Sequence, residues 1–355
     1  MLRQVWDRVH KRVVHPNNTF TKLLNCLSVN AQARLKTSRV FGYPYYLTID
    51  PTNYCNLRCP LCPTGQKNNS SSKGKMLFKT FKKIINEVGK WLYSVDLFNW
   101  GEPLLNKETY KMVSYAGKRN IWTNISTNFN VFDEDSAHKM VLSGLDHLTI
   151  SLDGASPETY SVYRVGGDFN RVISNIKLLV KTKKELRSKK PILEWQFLPM
   201  KHNEHEIANA RTMAAQLGMD EFTLRPLRVD MGKEVFEEMP KLLEEDKKWL
   251  PANQNYSRYD YGKKSRKVRK KLCPFLWTTA VIGWDGSVYP CCAVYPEEYK
   301  FGNILEQPFK EIWNNQVYKA SRKLFRASGE KADTVCDICI KQGPIDYVVP
   351  IKEGS

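Results

Sequence analysis

Between Tyr45 and Leu224 the chain alternates short β-rich runs with helical stretches, and this rhythm limits its fold more than any other feature. Six runs read as strands: Tyr45–Asp50, Val95–Asn99, Ile121–Ser126, His147–Leu152, Ile192–Leu198 and Glu221–Leu224. Phe78–Leu92, Lys107–Lys118, Asp133–Leu142, Phe169–Leu186 and Glu204–Leu217 carry helical patterns between them. Asp168 reads as an N-cap, and Gly218 follows Leu217 as a helix stop. Strands alternating with helices imply parallel pairing through right-handed crossovers. Six units fall short of a closed eight-fold barrel. The expected fold is therefore α/β, a partial (β/α)6 TIM-like barrel or an open sheet.

After Arg225 the alternation stops. Residues 230–272 are charged and irregular, with an acidic group (Glu234, Glu237, Glu238, Glu244, Glu245, Asp246) followed by GKKSRKVRKK at 262–271. The expected division is a basic, partly helical N-terminal extension over 1–44, a core over 45–229, a charged connector over 230–272, a compact cysteine-bearing segment over 273–340, and a tail over 341–355. Leu2, Val5, Trp6, Val9 and Val13 recur at helical spacing in the first stretch.

Composition narrows the classes. Hydrophobic residues make up 42% of the 355 and aromatics 12%, which excludes a chain too polar to bury a core. No run approaches the ~18 apolar residues of a membrane span; the longest, Phe275 to Trp284, is broken by Thr278, Thr279 and Gly283. The N-terminal residues lack the continuous apolar core of a secretory signal. A cytoplasmic protein is expected, where thiols stay reduced and clustered cysteines read as metal ligands or redox groups.

The nine cysteines are clustered. Cys55, Cys59 and Cys62 lie in CNLRCPLC directly after the first strand. Three thiolates on one loop can serve zinc. They can also serve an iron–sulfur cluster of four irons, leaving one iron open to a small molecule. The spacing Cys-x3-Cys-x2-Cys resembles the signature of the radical S-adenosylmethionine (SAM) superfamily. That resemblance implies a 4Fe–4S cluster whose open iron is chelated by SAM, reductive cleavage to a 5′-deoxyadenosyl radical, and hydrogen abstraction from an unactivated C–H bond. It also implies a reductant such as flavodoxin or ferredoxin.

Other residues fall on the same predicted face, where the strands of barrel-like enzymes end. Gly101, Glu102 and Pro103 follow the second strand, Ser126 and Asn128 end the third, and Ser151 and Asp153 end the fourth. Alone, these are a turn, loop residues and a strand with its turn. By resemblance, Gly101-Glu102-Pro103 is the motif that receives the SAM amino group, and Ser126, Asn128, Ser151 and Asp153 contact its ribose or methionine moiety. Trp100 stands where the family has a further glycine, and Leu61 where it has an aromatic. Arg164, in YRVGGDFNRVISNIK, is expected to face the SAM carboxylate or an acidic substrate, with an ordinary surface arginine as the alternative. Gln196 and Arg225 end the fifth and sixth strands as candidate substrate contacts. His202 and His205 match no metal or general-base pattern.

The second group is Cys273, Cys291, Cys292, Cys336 and Cys339. Its spacing, with FGNILEQPFKEIW at 301–313, resembles the SPASM domain of radical SAM enzymes. Longer versions carry seven cysteines and two auxiliary clusters, and no cysteine follows Cys339 here. The resemblance therefore implies one auxiliary 4Fe–4S cluster on Cys273, Cys291, Cys336 and Cys339, with a structural zinc site as the alternative. Cys292 is left over, as a buried thiol or as a hydrogen-atom donor to a substrate radical. Cys26 lies outside both groups.

Lys plus Arg is 55 and Asp plus Glu is 37, a net charge of +18, which favours an anionic partner. A nucleic acid ranks lowest, because no binding module is recognisable. A peripheral contact of the N-terminus with an anionic membrane and an anionic substrate are the other readings, beside a merely solvated basic surface. The overall expectation is an oxidising or epimerising enzyme for a small-molecule, sugar or lipid-linked substrate. The alternatives are a maturase modifying a peptide or protein side chain, and a non-catalytic iron–sulfur or zinc carrier. Only 54 residues precede Cys55, and one auxiliary cluster is expected, which tilts the expectation away from the maturase.

Overall fold

The structure, a computed structural model, describes residues 18–66, 72–229, 244–262, 265–266, 273–294, 296–326 and 331–341. The amphipathic N-terminal stretch, half of the acidic group (Glu234, Glu237 and Glu238), the basic run at 263–264 and 267–271 and the tail beyond Lys341 lie outside the described residues.

Six strands form where the alternation places them: β1 (Tyr46–Ile49), β2 (Ser94–Asp96), β3 (Trp122–Thr127), β4 (His147–Ser151), β5 (Ile192–Phe197) and β6 (Glu221–Leu224). They pair in parallel in chain order, and the sheet does not close. The long crossover helices α2 (Phe78–Val88), α3 (Thr109–Gly117), α4 (Glu134–Leu142), α6 (Phe169–Glu185) and α7 (Ile207–Leu217) follow the predicted periodicity. Helix α2 turns Phe81, Ile84, Ile85 and Val88 into the core, at roughly 1.5–3 kcal/mol for each large side chain removed from water. Asp133 and Asp168 cap α4 and α6 with their carboxylates.

Two elements escape the periodic reading. Helix α5 (Pro157–Tyr163) spans under two turns, too short for a period to show, and starts on Ser156 with Pro157 at its first turn. Helix α1 (Phe20–Arg34) buries only small or polar side chains (Lys22, Asn25, Cys26, Val29, Gln32 and Ala33), so its large apolar side chains mark the exposed face.

The C-terminal segment joins the core's own sheet. Its strands β7 (Thr279–Ile282), β8 (Ser287–Tyr289) and β9 (Gly302–Asn303) extend the sheet beyond β1 into nine strands, with β7 parallel to β1 and β8 and β9 antiparallel. Among the described residues no helix is long and apolar enough to cross a membrane. In the basic run at 181–190, Lys183 and Lys190 are paired with Asp220 and Asp146 at 3.3 and 2.5 Å.

One buried cation stitches the two ends of the chain together. Arg322, on α10 (Gln316–Lys323), has no exposed surface. Its Nε donates to Leu276 O at 2.9 Å, and its Nη1 to Ser38 O and Asn314 Oδ1 at 3.2 and 3.3 Å. Its guanidinium lies over the Trp313 and Tyr318 rings. Burial pushes Arg322 down to about 9. Val40 and Asn314 exchange two hydrogen bonds beside it. Arg322→Ala strands these carbonyls and empties the ring sandwich, so about 3 kcal/mol of stability is expected to go, read as a lower denaturant midpoint; an unchanged midpoint would contradict this role.

Candidate active site

The first cysteine loop is held from three sides. Asp50 ends β1; its amide bonds Ile282 O, and its buried carboxylate accepts the amides of Trp100 and Gly101 at 3.2 and 3.3 Å. Burial pushes Asp50 up to about 7. Gly101 is required by space, because a Cβ there would meet Thr52 O at 1.7 Å. Gly65 lets the loop fold back, since its Cβ would lie 2.6 Å from the Cys59 backbone N and O. From the far side Arg58 N donates to Val165 O at 2.8 Å.

Glu102, 3% exposed, joins the turn after β2 to the end of β3. Its Oε1 accepts Leu104 N at 3.1 Å and Thr127 Oγ1 at 2.6 Å, and its Oε2 accepts Asn128 N at 2.8 Å. Pro103 starts the short turn that follows. Asn128 Nδ2 donates to Cys55 Sγ at 3.5 Å and to Asn56 Oδ1 at 3.0 Å. Ser126 and Ser151 sit on neighbouring strands with their hydroxyls 3.5 Å apart.

Asp153 and Arg164 face each other. Arg164 donates to Asp153 Oδ2 through Nε at 2.7 Å and Nη2 at 2.6 Å, and Leu198 N donates to Asp153 Oδ1 at 2.8 Å. The Arg164 charge also bears on the Cys59 thiol, drawing it down against burial. Burial works against the guanidinium charge, but Asp153 and the thiol outweigh it and hold Arg164 above its ordinary value. The arginine expected at the SAM carboxylate is thus paired with Asp153 in this structure, with Cys59 nearby.

Burial is also the main cause of the raised thiols. It pushes Cys55 up to about 12, helped by the charge of Glu102, and Cys59 up to about 11, where Arg164 acts in the opposite direction. Thiols raised in this way hold their protons until a metal displaces them. Among the described residues, no three Cys, His, Asp or Glu side chains converge closely enough to share one metal ion. A zinc ion needs that convergence; a cluster carrying one thiolate per iron does not. The donor sets fit clusters.

A cap of apolar side chains covers this loop. Leu57, Cys59 and Leu61 pack with Tyr163, Met200, Leu227, Val229, Leu250 and Tyr259, and Cys55, Cys62, Trp249 and Tyr261 border them. Trp249, Leu250, Tyr259 and Tyr261 belong to the charged connector, whose sequence gave no sign of this role. Leu61, in the place of the family's aromatic, is part of the cap.

The concave face of the sheet is polar. Asn124 Nδ2 donates to Asp96 Oδ1 at 3.3 Å, and Thr149 Oγ1 to Glu194 Oε2 at 2.8 Å. His147 Nε2 lies 3.7 Å from both Glu194 and Glu221, and Arg225 Nη2 lies 3.4 Å from Glu194. A period of two polar residues in β3, β4 and β5 was the available signal: Asn124 and Ser126, His147 and Thr149 and Ser151, Glu194 and Gln196. His202 lies outside this row, edge-on to Trp249.

The second group is gathered in one region without three thiols, among the described residues, meeting at one point. Cys273 precedes helix α8 (Phe275–Thr278), Cys291 follows β8, and Cys336 and Cys339 lie three apart on helix α11 (Val335–Lys341). Burial raises Cys273, Cys291 and Cys336, and nearby thiols add to it: Cys339 and Cys292 at Cys273, Cys292, Cys339 and Cys273 at Cys291, and Cys273 and Cys339 at Cys336. Cys292 differs. It keeps solvent-accessible surface although protein crowds its sulfur, and its charged neighbours are Arg228, past the end of β6, and Asp96, at the end of β2. Cys26 is buried under α1, at the opposite end of the strands.

A sheet of this kind, with thiols at the mouth and a second thiol group beside it, defines a radical SAM enzyme with an auxiliary cluster domain. The chain carries both parts: residues 49–187 match the radical SAM superfamily and residues 273–340 match SPASM, an iron–sulfur cluster-binding domain, so it is a radical SAM/SPASM protein. Its cofactors are SAM, a SAM-binding 4Fe–4S cluster and an auxiliary iron–sulfur cluster. Among curated proteins it is 26% identical, over 77% of this chain and 82% of the relative, to the tungsten-containing aldehyde ferredoxin oxidoreductase cofactor-modifying protein of Pyrococcus furiosus. It is 25% identical to the AdoMet-dependent heme synthase of Methanosarcina barkeri (83% and 88%) and 22% identical to the mycofactocin maturase MftC of Mycobacterium ulcerans (77% and 75%). Among solved structures, native anSMEcpe with bound AdoMet superposes with a TM-score of 0.55 at 20% identity, covering 77% of this chain and 81% of that one. BtrN in complex with AdoMet and 2-DOIA gives 0.51 at 16%, covering 86% and 99%. These two likenesses show the fold.

Gly101→Ala drives a methyl group into the Thr52 carbonyl under the cysteine loop. Iron bound after anaerobic reconstitution is expected to fall by roughly half, as the first site is lost and the second remains. Full iron content in this variant would contradict the packing described.

Proposed function

We propose that this chain is a maturase: it cleaves SAM reductively and takes hydrogen from a residue of a peptide or protein substrate. The observation that carries this reading is the company the chain keeps. Relatives aligned over three quarters of its length include a mycofactocin maturase and a cofactor-modifying protein, and a shorter alignment, over 33% of the chain, reaches a PqqA peptide cyclase. This favours the maturase over the small-molecule, sugar or lipid-linked substrate expected from the sequence.

Cys55, Cys59 and Cys62 would hold the first cluster, and Cys273, Cys291, Cys336 and Cys339 the second. When bound, SAM and the first cluster supply a carbon-centred radical from one electron, delivered by a donor such as flavodoxin or ferredoxin. The protein's own residues do the rest. Asn128 and the Leu57 amide, 3.4 Å from Cys55 Sγ, donate to that sulfur, and the Arg164 charge favours the thiolate of Cys59. These donors stabilise thiolate charge where water is excluded. Glu102 fixes Asn128 through its amide and so acts as a positioning residue. Gly101, Pro103, Ser126, Ser151 and Asp153 line or support the mouth where SAM would lie. The cap over the cysteine loop keeps water from the radical chemistry. Cys292, beside Asp96 and Arg228 and next to Cys273 and Cys291, would return hydrogen to a substrate radical from the mouth's rim.

The test is anaerobic reconstitution with SAM, dithionite and a panel of probes. 5′-Deoxyadenosine is expected to form, to rise several-fold with a peptide library and to disappear in Cys55→Ala. Stimulation by nucleotide sugars and not by peptides would reject the maturase reading; iron binding without SAM cleavage would reject the enzyme.

A further inference from the structure

Helix α1 is built with its faces exchanged. At ~100° per residue, Phe20, Leu23, Leu24 and Leu27 fall within an arc about 100° wide, with Leu35 at its far end. All five are exposed, at 76, 38, 49, 60 and 73%. The opposite face is buried and mixed: Cys26, Val29 and Ala33 join the core, while Lys22 Nζ donates to Asn120 O, Asn25 exchanges two hydrogen bonds with the Tyr43 backbone, and Gln32 accepts the Phe41 amide. Burial pushes Lys22 down to about 8. Keeping a lysine and two amides inside while four large apolar side chains face out is costly in water. It becomes favourable when an apolar medium covers the stripe.

The surrounding charge identifies that medium. From Phe20 to Ile49 the sequence holds four Lys or Arg and no Asp or Glu. Arg34 and Arg39 are exposed at one end of the helix, where Arg39 lies over the Phe41 ring, itself 81% exposed. Lys118 and Arg119 are exposed beside Asn120 at the other end. An apolar stripe rimmed by cations fits the boundary of an anionic bilayer. A second copy of the chain would bring the same positive rim against itself.

We propose that the exposed face of α1 docks on anionic phospholipid membranes, with Phe20, Leu23, Leu24 and Leu27 entering the interface. The helix lies against the turns that feed β2 and β3: it bonds Asn120, and Cys26 neighbours Tyr93. The cysteine loop is at the opposite, C-terminal end of the strands. A docked molecule therefore holds its mouth away from the bilayer, open to a substrate arriving from solution. This inference does not depend on the maturase reading.

The experiment is co-sedimentation of the reconstituted full chain with large vesicles of phosphatidylcholine alone or mixed with phosphatidylglycerol. Binding is expected to the mixed vesicles only, to weaken with salt, and to drop at least tenfold in Leu24→Glu/Leu27→Glu, whose circular dichroism stays that of the parent. Loss of binding upon truncation of residues 1–17 with the Leu24→Glu/Leu27→Glu variant binding fully would overturn the proposal. So would no binding to mixed vesicles, or a dimer in solution that the same double substitution dissolves.

Discussion

The contact among Asp153, Arg164 and Cys59 constrains everything around it. A buried guanidinium survives only with its partner, and removing one member of such a pair costs about 3–5 kcal/mol. Here the partner is a carboxylate with no exposed surface at the end of β4. The third contact is a cysteine of the loop after β1. The pair thereby fixes the distance between two strand ends and the loop that spans them. Glu102 does the same between β2 and β3, and Asp50 between β1 and the turn that carries Glu102. Three buried carboxylates, each satisfied by protein donors, make the mouth a rigid frame before any cofactor enters.

The second thiol group belongs to the same frame. Because β7 pairs with β1, the auxiliary segment grows out of the core's sheet, and Asp50 bonds the last residue of β7. Electron exchange between the mouth and the auxiliary site would then run through one continuous scaffold. Arg322 closes the far side by gripping the Ser38 loop, α8 and Asn314 at once.

Much of this was legible in the residues. The six strands and five long helices follow from period and punctuation, because each is long enough for one buried face to show. The grouping of Cys55, Cys59 and Cys62 on one loop was legible because spacing survives without knowledge of packing, and the ligand roles proposed for them rest on that spacing. The role of Arg164 was not. A substrate-facing arginine and one paired with Asp153 read the same in a strand–turn–helix segment, and only packing decides between them. The connector's Trp249 and Tyr259 were hidden by the charges around them. Helix α1 misleads for the opposite reason, since its largest apolar side chains mark the exposed face and its buried face mixes satisfied polar groups with the small Cys26, Val29 and Ala33.

The central claim is that seven of the nine cysteines divide into a set of three and a set of four, with Cys292 at the rim and in neither. Mössbauer spectroscopy of iron-57-reconstituted protein, with and without SAM, tests it most directly. Two four-iron clusters are expected in the parent and in Cys292→Ala, one of them perturbed by SAM, and a single SAM-responsive cluster in Cys291→Ala. Two intact clusters in Cys291→Ala with one lost in Cys292→Ala, or a single cluster in the parent, would contradict it.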